Sequence, residues 1–587
     1  MVLQDILNKY ETIVKNFSFY DFSEELSKLS EEEKNTFEIK SELLAASFSD
    51  GGNNDWNTYY GPTTIWTRKD TGELVYMPDW RDITQEDIAY WKRRIKETHN
   101  PFFCMRYTGL LWDFEKKVCA TEPDFNGVRL LFINSAIEIV EKDLAEHPIS
   151  GMNYICIAIE RAINYRNKTI AQKAIEVMLD YVAKYSDDDK PGIWQTPFDM
   201  LIKHSSYFSS FENTIISENQ ERFKRLLDKC RKFGKTTDSY VHLLMDEIKL
   251  FAEYYRRKND KQQISFYLDT AYECIKCSFV CRGAMWTHGM LQNLQNLYRK
   301  YNLDAKANRI FIDIQNLGQV ALGEMSGQEY SIPLDKEKLN AYFTSLLSGT
   351  VQEVLRRYIV IYIPNLEKEK ERQKREEEST PLLSMVHTVF YDWSGMPLNH
   401  LGGEKNEASH KFSYGMYRRM VFDSFFMELH ISKMEEKNIY CYDEIMAQFA
   451  ESLLIKKEQR DIFERAIKAY FDEDYIVTCH FLIPLFESSI RTLAAYHGID
   501  VLSNRNDSSG NEYKTLDKLF EKLKSFNKIS EDVMTYWQNV YTDKYGWNIR
   551  NLFCHGLLQT SRFNKELADR LVHTFLTLSM IKIDKMK

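Results

Sequence analysis

Between residues 85 and 330, apolar side chains recur at i, i+3, i+4 and i+7 with few breaks, in phrases such as VRLLFINSAIEIVEKDLAEH, TIAQKAIEVMLDYVAKYS and GMLQNLQNLYRKYN. That period puts one apolar stripe along a helix, and a chain that repeats it at such length must pack helix on helix. Only 12 Pro and 23 Gly punctuate 587 residues, so long segments run without a breaker. Thr84-Gln85-Glu86-Asp87 reads as a helix start, with Thr84 as the cap and an acid three residues on. SDDDKPG (186–192) reads as a turn between helices. Long helices and brief turns predict stacked helical hairpins, an α-solenoid-like array, without a strict sequence period. The expected fold class is all-α.

Minor β hairpins are expected at two places. TRKDTGELVYMP (67–78) has a turn at Asp70–Gly72 between extended residues, and MVHTVFYDWSGMP (385–397) ends β-branched and aromatic residues on a Ser-Gly turn. The length suits several domains. The expected division is 1–84 (short helices and a hairpin), 85–340 (the helical array), 341–450 (a middle helical region) and 451–587 (a terminal helical domain). The mixed-charge run at 367–378 reads as a solvated helix face or linker.

A formal net charge of −9 argues against an overall basic nucleic-acid-binding surface but leaves room for a local basic site. MVLQDILNKYETIV has an early Asp and no unbroken apolar run, so it is not a signal peptide. No apolar run reaches the roughly eighteen residues a spanning helix needs. Ten scattered cysteines suit reduced thiols. Together these predict a cytoplasmic protein with no membrane contact. Cys274, Cys277 and Cys281, with His288 beyond, invite a zinc reading. Their spacing is equally that of one buried helical stripe, and tetrahedral sites usually draw a second ligand pair from another element. Buried thiols are expected there, and neither a metal nor a cofactor. Phosphate-loop, zinc-protease and serine-hydrolase signatures are absent.

Two phrases near the carboxyl end carry chemistry. In YIVTCHFLIPLFESSIRTLAAYHG (475–498), Glu487 and Arg491 stand four apart on one helical face, with His480 two turns earlier on roughly the same side. An ordinary surface ion pair is the plain alternative. In GWNIRNLFCHGLLQT (546–560), which reads as helix, Asn551 and His555 share a face, and Arg550 lies one residue back with a side chain long enough to reach the same spot. Gly546 and Gly556 bracket the segment and permit close backbone approach or a helix break. At background frequencies R-N-x3-H-G arises in roughly one of several hundred chains this long.

RNLFCHG resembles the RNxxxHG signature of HEPN domains, the "higher eukaryotes and prokaryotes nucleotide-binding" superfamily, and more narrowly the branch catalogued as domain of unknown function 4209. CHFLIPLFESSIRTLAAYHG resembles the helix upstream of the signature in that branch. The likeness covers about 450–587 and, more loosely, the helical region before it, including LLWDFEK (110–116). It implies a C-terminal HEPN helical bundle and a metal-independent endoribonuclease, acting in RNA turnover or as an antiviral or toxin-like defence. It also implies a homodimer, because such enzymes pair two signatures across a two-fold axis and this chain holds one. Some HEPN domains are inactive, so a non-catalytic dimerisation, nucleotide-binding or RNA-binding scaffold is the alternative.

RNA carries its own nucleophile, the 2′-hydroxyl, so the catalyst must move a proton, hold an in-line geometry and stabilise a charged phosphorane. His555 is the expected acid–base group, imidazoles as a class titrating near neutral pH. Arg550 offers a donor fork for phosphoryl oxygens, and Asn551 orients His555 or the phosphate. Glu487, Arg491 and His480 are the expected supporting residues, Glu487 holding Arg550 or His555. The products would be a 2′,3′-cyclic phosphate and a 5′-hydroxyl. After Tyr541, eight basic residues (Lys544, Arg550, Arg562, Lys565, Arg570, Lys582, Lys585 and Lys587) face four acids. They suit an RNA track, with Lys544, Arg562 and Lys565 as binding residues, or else a solvated tail. The N-terminal array is expected to bind a regulatory protein or trigger.

Overall fold

The computed structural model describes residues 2–581 except 52–54, 69–70, 72, 121–123, 233–239, 328–330, 332, 381–385, 387, 393, 402–406 and 505–509. The fold is all-α, with small two-stranded antiparallel pairs as its β structure among the described residues. No described helix is long and apolar enough to cross a membrane. The chain gathers into two compact units, residues 1–311 and 312–587, dividing inside the Asp304–Gly323 helix.

In the N-terminal unit, Thr84 caps the Gln85–Glu97 helix in a full capping box. The Asp87 N–H donates to Thr84 Oγ1 at 3.2 Å, and the Thr84 N–H returns to Asp87 Oδ2 at 2.9 Å. From Pro101–Cys119 through Leu130–Glu141 and Pro148–Asn164 to Lys168–Tyr185, each helix packs on its neighbour in sequence, as stacked hairpins do. The carboxylate of Asp113, from LLWDFEK, is buried; it accepts the Tyr59 and Tyr60 N–H groups at 2.9 Å and pairs with Arg161 at 2.9 Å. The hairpin near residue 70 pairs Thr64–Thr67 with Leu74–Met77, starting earlier than the sequence indicates; its expected turn lies partly outside the described residues. Along the Lys261–Lys300 helix, Cys274 is buried, Cys281 half-buried and Cys277 exposed, so the thiols do not form one buried stripe. The backbone breaks at Gly283 (φ 81°), between the cysteines and His288.

In the C-terminal unit, helices from both 341–450 and 451–587 close around one apolar core. Its centre holds the Phe486 ring stacked on Tyr541 at 3.8 Å and Trp537 donating to Thr577 Oγ1 at 2.8 Å. The charged run forms the Leu366–Ser379 helix, anchored where the Leu366 N–H meets Asp532 Oδ1 at 3.1 Å. Among the described residues two hairpins decorate this unit, Thr388–Tyr391 with Pro397–Leu401 and Leu502–Asn504 with Asn511–Tyr513. The last helix, Lys565–Ser579, is buried at every side chain from Leu567 to Leu578. It packs on Val351–Ile361, Glu407–Glu435 and Tyr475–Tyr496, so its polar residues must be satisfied inside the unit.

Candidate functional site

The Tyr475–Tyr496 helix supplies one wall of the site. It begins with Asp474 accepting the Val477 N–H and stops at Gly498, whose φ of 69° lets the Ile499 N–H return to the Ala494 carbonyl at 2.9 Å. Its outward face carries Glu487 and Arg491, which form an ion pair with both side chains only 16% and 20% exposed. A surface pair would be wetter than this. The reason is a third group: Arg550 Nε donates to the other oxygen of Glu487 at 2.9 Å. Burial alone would push the Glu487 carboxyl up, but the Arg550 and Arg491 guanidiniums hold it below the usual carboxylate range.

The motif segment is not the long helix the sequence suggests. It is six residues, Ile549–Cys554, preceded by Asn548 in the left-handed region (φ 51°) and followed by Gly556 at φ 67°. The first bend exists because the chain folds back on Asn539. The Trp547 N–H donates to the Asn539 carbonyl at 2.8 Å, and a Cβ on Gly546 would sit 2.2 Å from that same oxygen. The second bend is a Schellman stop, with the Gly556 N–H on Phe553 and the Leu557 N–H on Leu552.

This geometry separates the predicted residues. Arg550 turns to Glu487, and its Nη1 donates to Asn551 Oδ1 at 3.3 Å. Asn551 donates to Asn548 Oδ1 at 2.8 Å and to the Thr542 carbonyl at 3.4 Å, not to His555. His555 occupies the C-cap, exposed, and its imidazole makes no hydrogen bond among the described residues. Glu487 therefore holds Arg550 and not His555. His480 stays apart from the charge cluster as well. Its Nδ1 meets the Ile476 carbonyl at 2.8 Å, and its ring packs against Phe553 and Phe563 at 5.0 and 4.9 Å. Two turns bring it to the hydrophobic side of the motif helix.

The basic count overstates the cationic surface. Lys544 and Arg562 are exposed, but Lys565 pairs with Asp569 at 3.1 Å. Arg570 is fully buried, donating to the Met420 carbonyl at 2.8 Å and Ser424 Oγ at 2.9 Å, because it sits on the inward face of the last helix. Lys582, Lys585 and Lys587 lie outside the described residues. A cleft of about 660 Å³ beyond Thr542 and Asp543 mixes Lys370 and Lys524 with Asp517 and Glu531. A second cleft, about 490 Å³, is lined by Arg491, Lys456, Tyr496 and Tyr513, with the Arg491 guanidinium 5.2 Å from the Tyr513 ring centroid. The aromatic and cationic wall of this second cleft escaped sequence reading. Tyr513 comes from a hairpin across the loop, and only the fold brings it to Arg491. Comparison with protein-family models and with curated proteins finds no match to this chain.

Proposed function

We propose that the C-terminal unit is a HEPN-type endoribonuclease that cleaves RNA without a metal ion, as a homodimer pairing two copies of the motif segment. One observation carries the reading: Glu487 clamps Arg550 in a fixed position while His555, five residues on, keeps an exposed and unengaged imidazole. Proton transfer at the 2′-hydroxyl or the leaving oxygen falls to His555. Charge on the phosphoryl oxygens falls to Arg550, whose Nη2 makes no hydrogen bond among the described residues. The Arg491 cleft offers a cation beside aromatic rings, the combination that holds single-stranded bases by stacking. Cleavage leaves a 2′,3′-cyclic phosphate. The N-terminal unit then serves to receive a regulatory protein or trigger, in defence or in RNA turnover.

A second reading, a non-catalytic dimerisation or RNA-binding scaffold, draws on the engagement of Arg550 Nε and Nη1 and of both ends of the Asn551 amide within the chain. The deciding experiment is cleavage of single-stranded RNA in excess EDTA. The nuclease reading expects cutting by the wild type, and loss of at least 100-fold in His555→Ala and Arg550→Ala with unchanged circular dichroism. Intact RNA under all conditions with wild-type protein, alongside measurable RNA binding, would establish the scaffold instead.

A further inference from the structure

The N-terminal unit contains a cysteine pair that the proposed nuclease chemistry does not use. Cys230, on the Glu212–Lys232 helix, and Cys274, on the Lys261–Lys300 helix, are neighbours on two packed helices and line one cavity. They are 7% and 6% exposed. Burial would normally leave such thiols inert, as it does for Cys156 and Cys479, whose thiols it pushes up to about 12. Cys274 differs. The neighbouring Cys230 lowers it, burial opposes that, and Arg231 adds a nearby positive charge.

The pair is also reachable. Both residues line a cavity of about 230 Å³ whose wall includes the exposed Cys277 and Phe266. That space admits a small oxidant without opening the helices. A metal-binding reading fails: among the described residues no three His, Cys, Asp or Glu side chains gather as metal ligands, and the lining carboxylate of Asp269 is already held by Tyr298 at 2.7 Å and by Lys306.

We propose that Cys230 and Cys274 form a reversible disulfide on exposure to a peroxide, tying the Glu212–Lys232 helix to the Lys261–Lys300 helix. In the first step the Cys274 thiolate attacks one peroxide oxygen, the O–O bond breaks, and the departing oxygen leaves as water after taking a proton. Cys274 is then a sulfenic acid. In the second step the Cys230 sulfur attacks the Cys274 sulfur, the S–O bond breaks and a second water leaves with the Cys230 proton. Two thiols lose two hydrogens and two electrons, and one peroxide becomes two waters. Cys277, three residues along the same helix as Cys274, is the competing partner, but it lies exposed on the cavity wall whereas Cys230 is a buried neighbour.

The test uses the full-length chain, treated with hydrogen peroxide, alkylated with iodoacetamide under denaturing conditions and mapped by peptide mass spectrometry. The expected result is one cross-linked species joining the Cys230 and Cys274 peptides, two hydrogens lighter than their sum, with Cys277 alkylated. Dithiothreitol should reverse it, and the oxidised protein should melt about 5 °C or more above the reduced form. A Cys274–Cys277 link would overturn the proposal, as would an irreversibly oxidised Cys277 with Cys230 and Cys274 fully alkylated. Cys230→Ala should abolish the cross-link. If that variant does not fold, the wild-type peptide map decides alone.

Discussion

The guanidinium of Arg550 and the carboxylate of Glu487, 63 residues apart in the chain, meet at 2.9 Å and leave the second Glu487 oxygen to Arg491. Neither helix alone creates this relay, and its charge is what fixes Arg550. Glu487→Gln keeps the shape and removes the charge. RNA cleavage should fall about 10–100-fold, measured as kcat/KM on a single-stranded substrate. Stability should fall by about 1–3 kcal/mol in urea denaturation. Because the Glu487 carboxyl is held below its ordinary range, its contribution is complete above that range and disappears as pH falls through the lowered folded value.

Gly546 sets the entry of the motif segment. Its missing Cβ is what allows the Asn539 carbonyl to take the Trp547 N–H. Gly546→Ala should cost about 1–3 kcal/mol and loosen amide protection at Trp547 before it affects the distant core. Hydrogen exchange resolved by residue provides the measurement.

Exposed and buried cations in this region should separate cleanly. Lys544→Gln or Arg562→Gln, made in a His555→Ala background to prevent cutting, should each lower the salt slope of single-stranded RNA binding by about 0.7. Their melting temperatures should not move. Arg570→Gln should do the reverse, costing about 3 kcal/mol of stability with little change in salt slope, since its guanidinium bonds the Met420 carbonyl and Ser424 inside the core.

Acid should weaken the C-terminal unit through His573. Burial, with the Arg570 charge beside it, drives this imidazole down to about 3; Tyr536 bonds its Nδ1 at 2.8 Å and the Ile359 carbonyl its Nε2 at 3.0 Å. The folded state refuses a proton that the unfolded chain accepts near 6.5, so stability is full above that pH and drains away as pH falls towards 3. Between pH 7 and 5 the loss from this one group is about 2 kcal/mol. His573→Gln should flatten the pH dependence of urea denaturation by that amount. Asp569 acts in the opposite sense. Burial raises it to about 6, against the pull of Lys565, so its protonated form favours the folded state at low pH and that benefit fades as pH rises through 6. Asp569→Asn should steepen the acid loss.

The helical architecture was legible because its signals are local. The apolar period from residue 85 onward and the Thr84 cap each act within a few residues, and each appears as read. The site was legible only in part. Glu487 holding Arg550 follows from residue types, but the motif helix was read too long, since nothing in WNIRN announces that Asn548 turns left-handed to satisfy Asn539. Arg570 and Lys565 looked like surface cations because i+3 and i+4 spacing cannot tell which face of a final helix turns inward. His480 failed for a related reason: sharing a helix side with Glu487 did not decide whether it would meet charge or the Phe553 and Phe563 rings.

The Lys565–Ser579 helix, buried along nearly its whole length, leaves the ribosome after the three helices that close on it. Until it emerges, the Tyr475–Tyr496 helix lacks one of its packing partners, and the two segments that meet at Arg550 lack that support. A chain in which that helix has not yet packed would leave Arg550 and Glu487 without a fixed geometry.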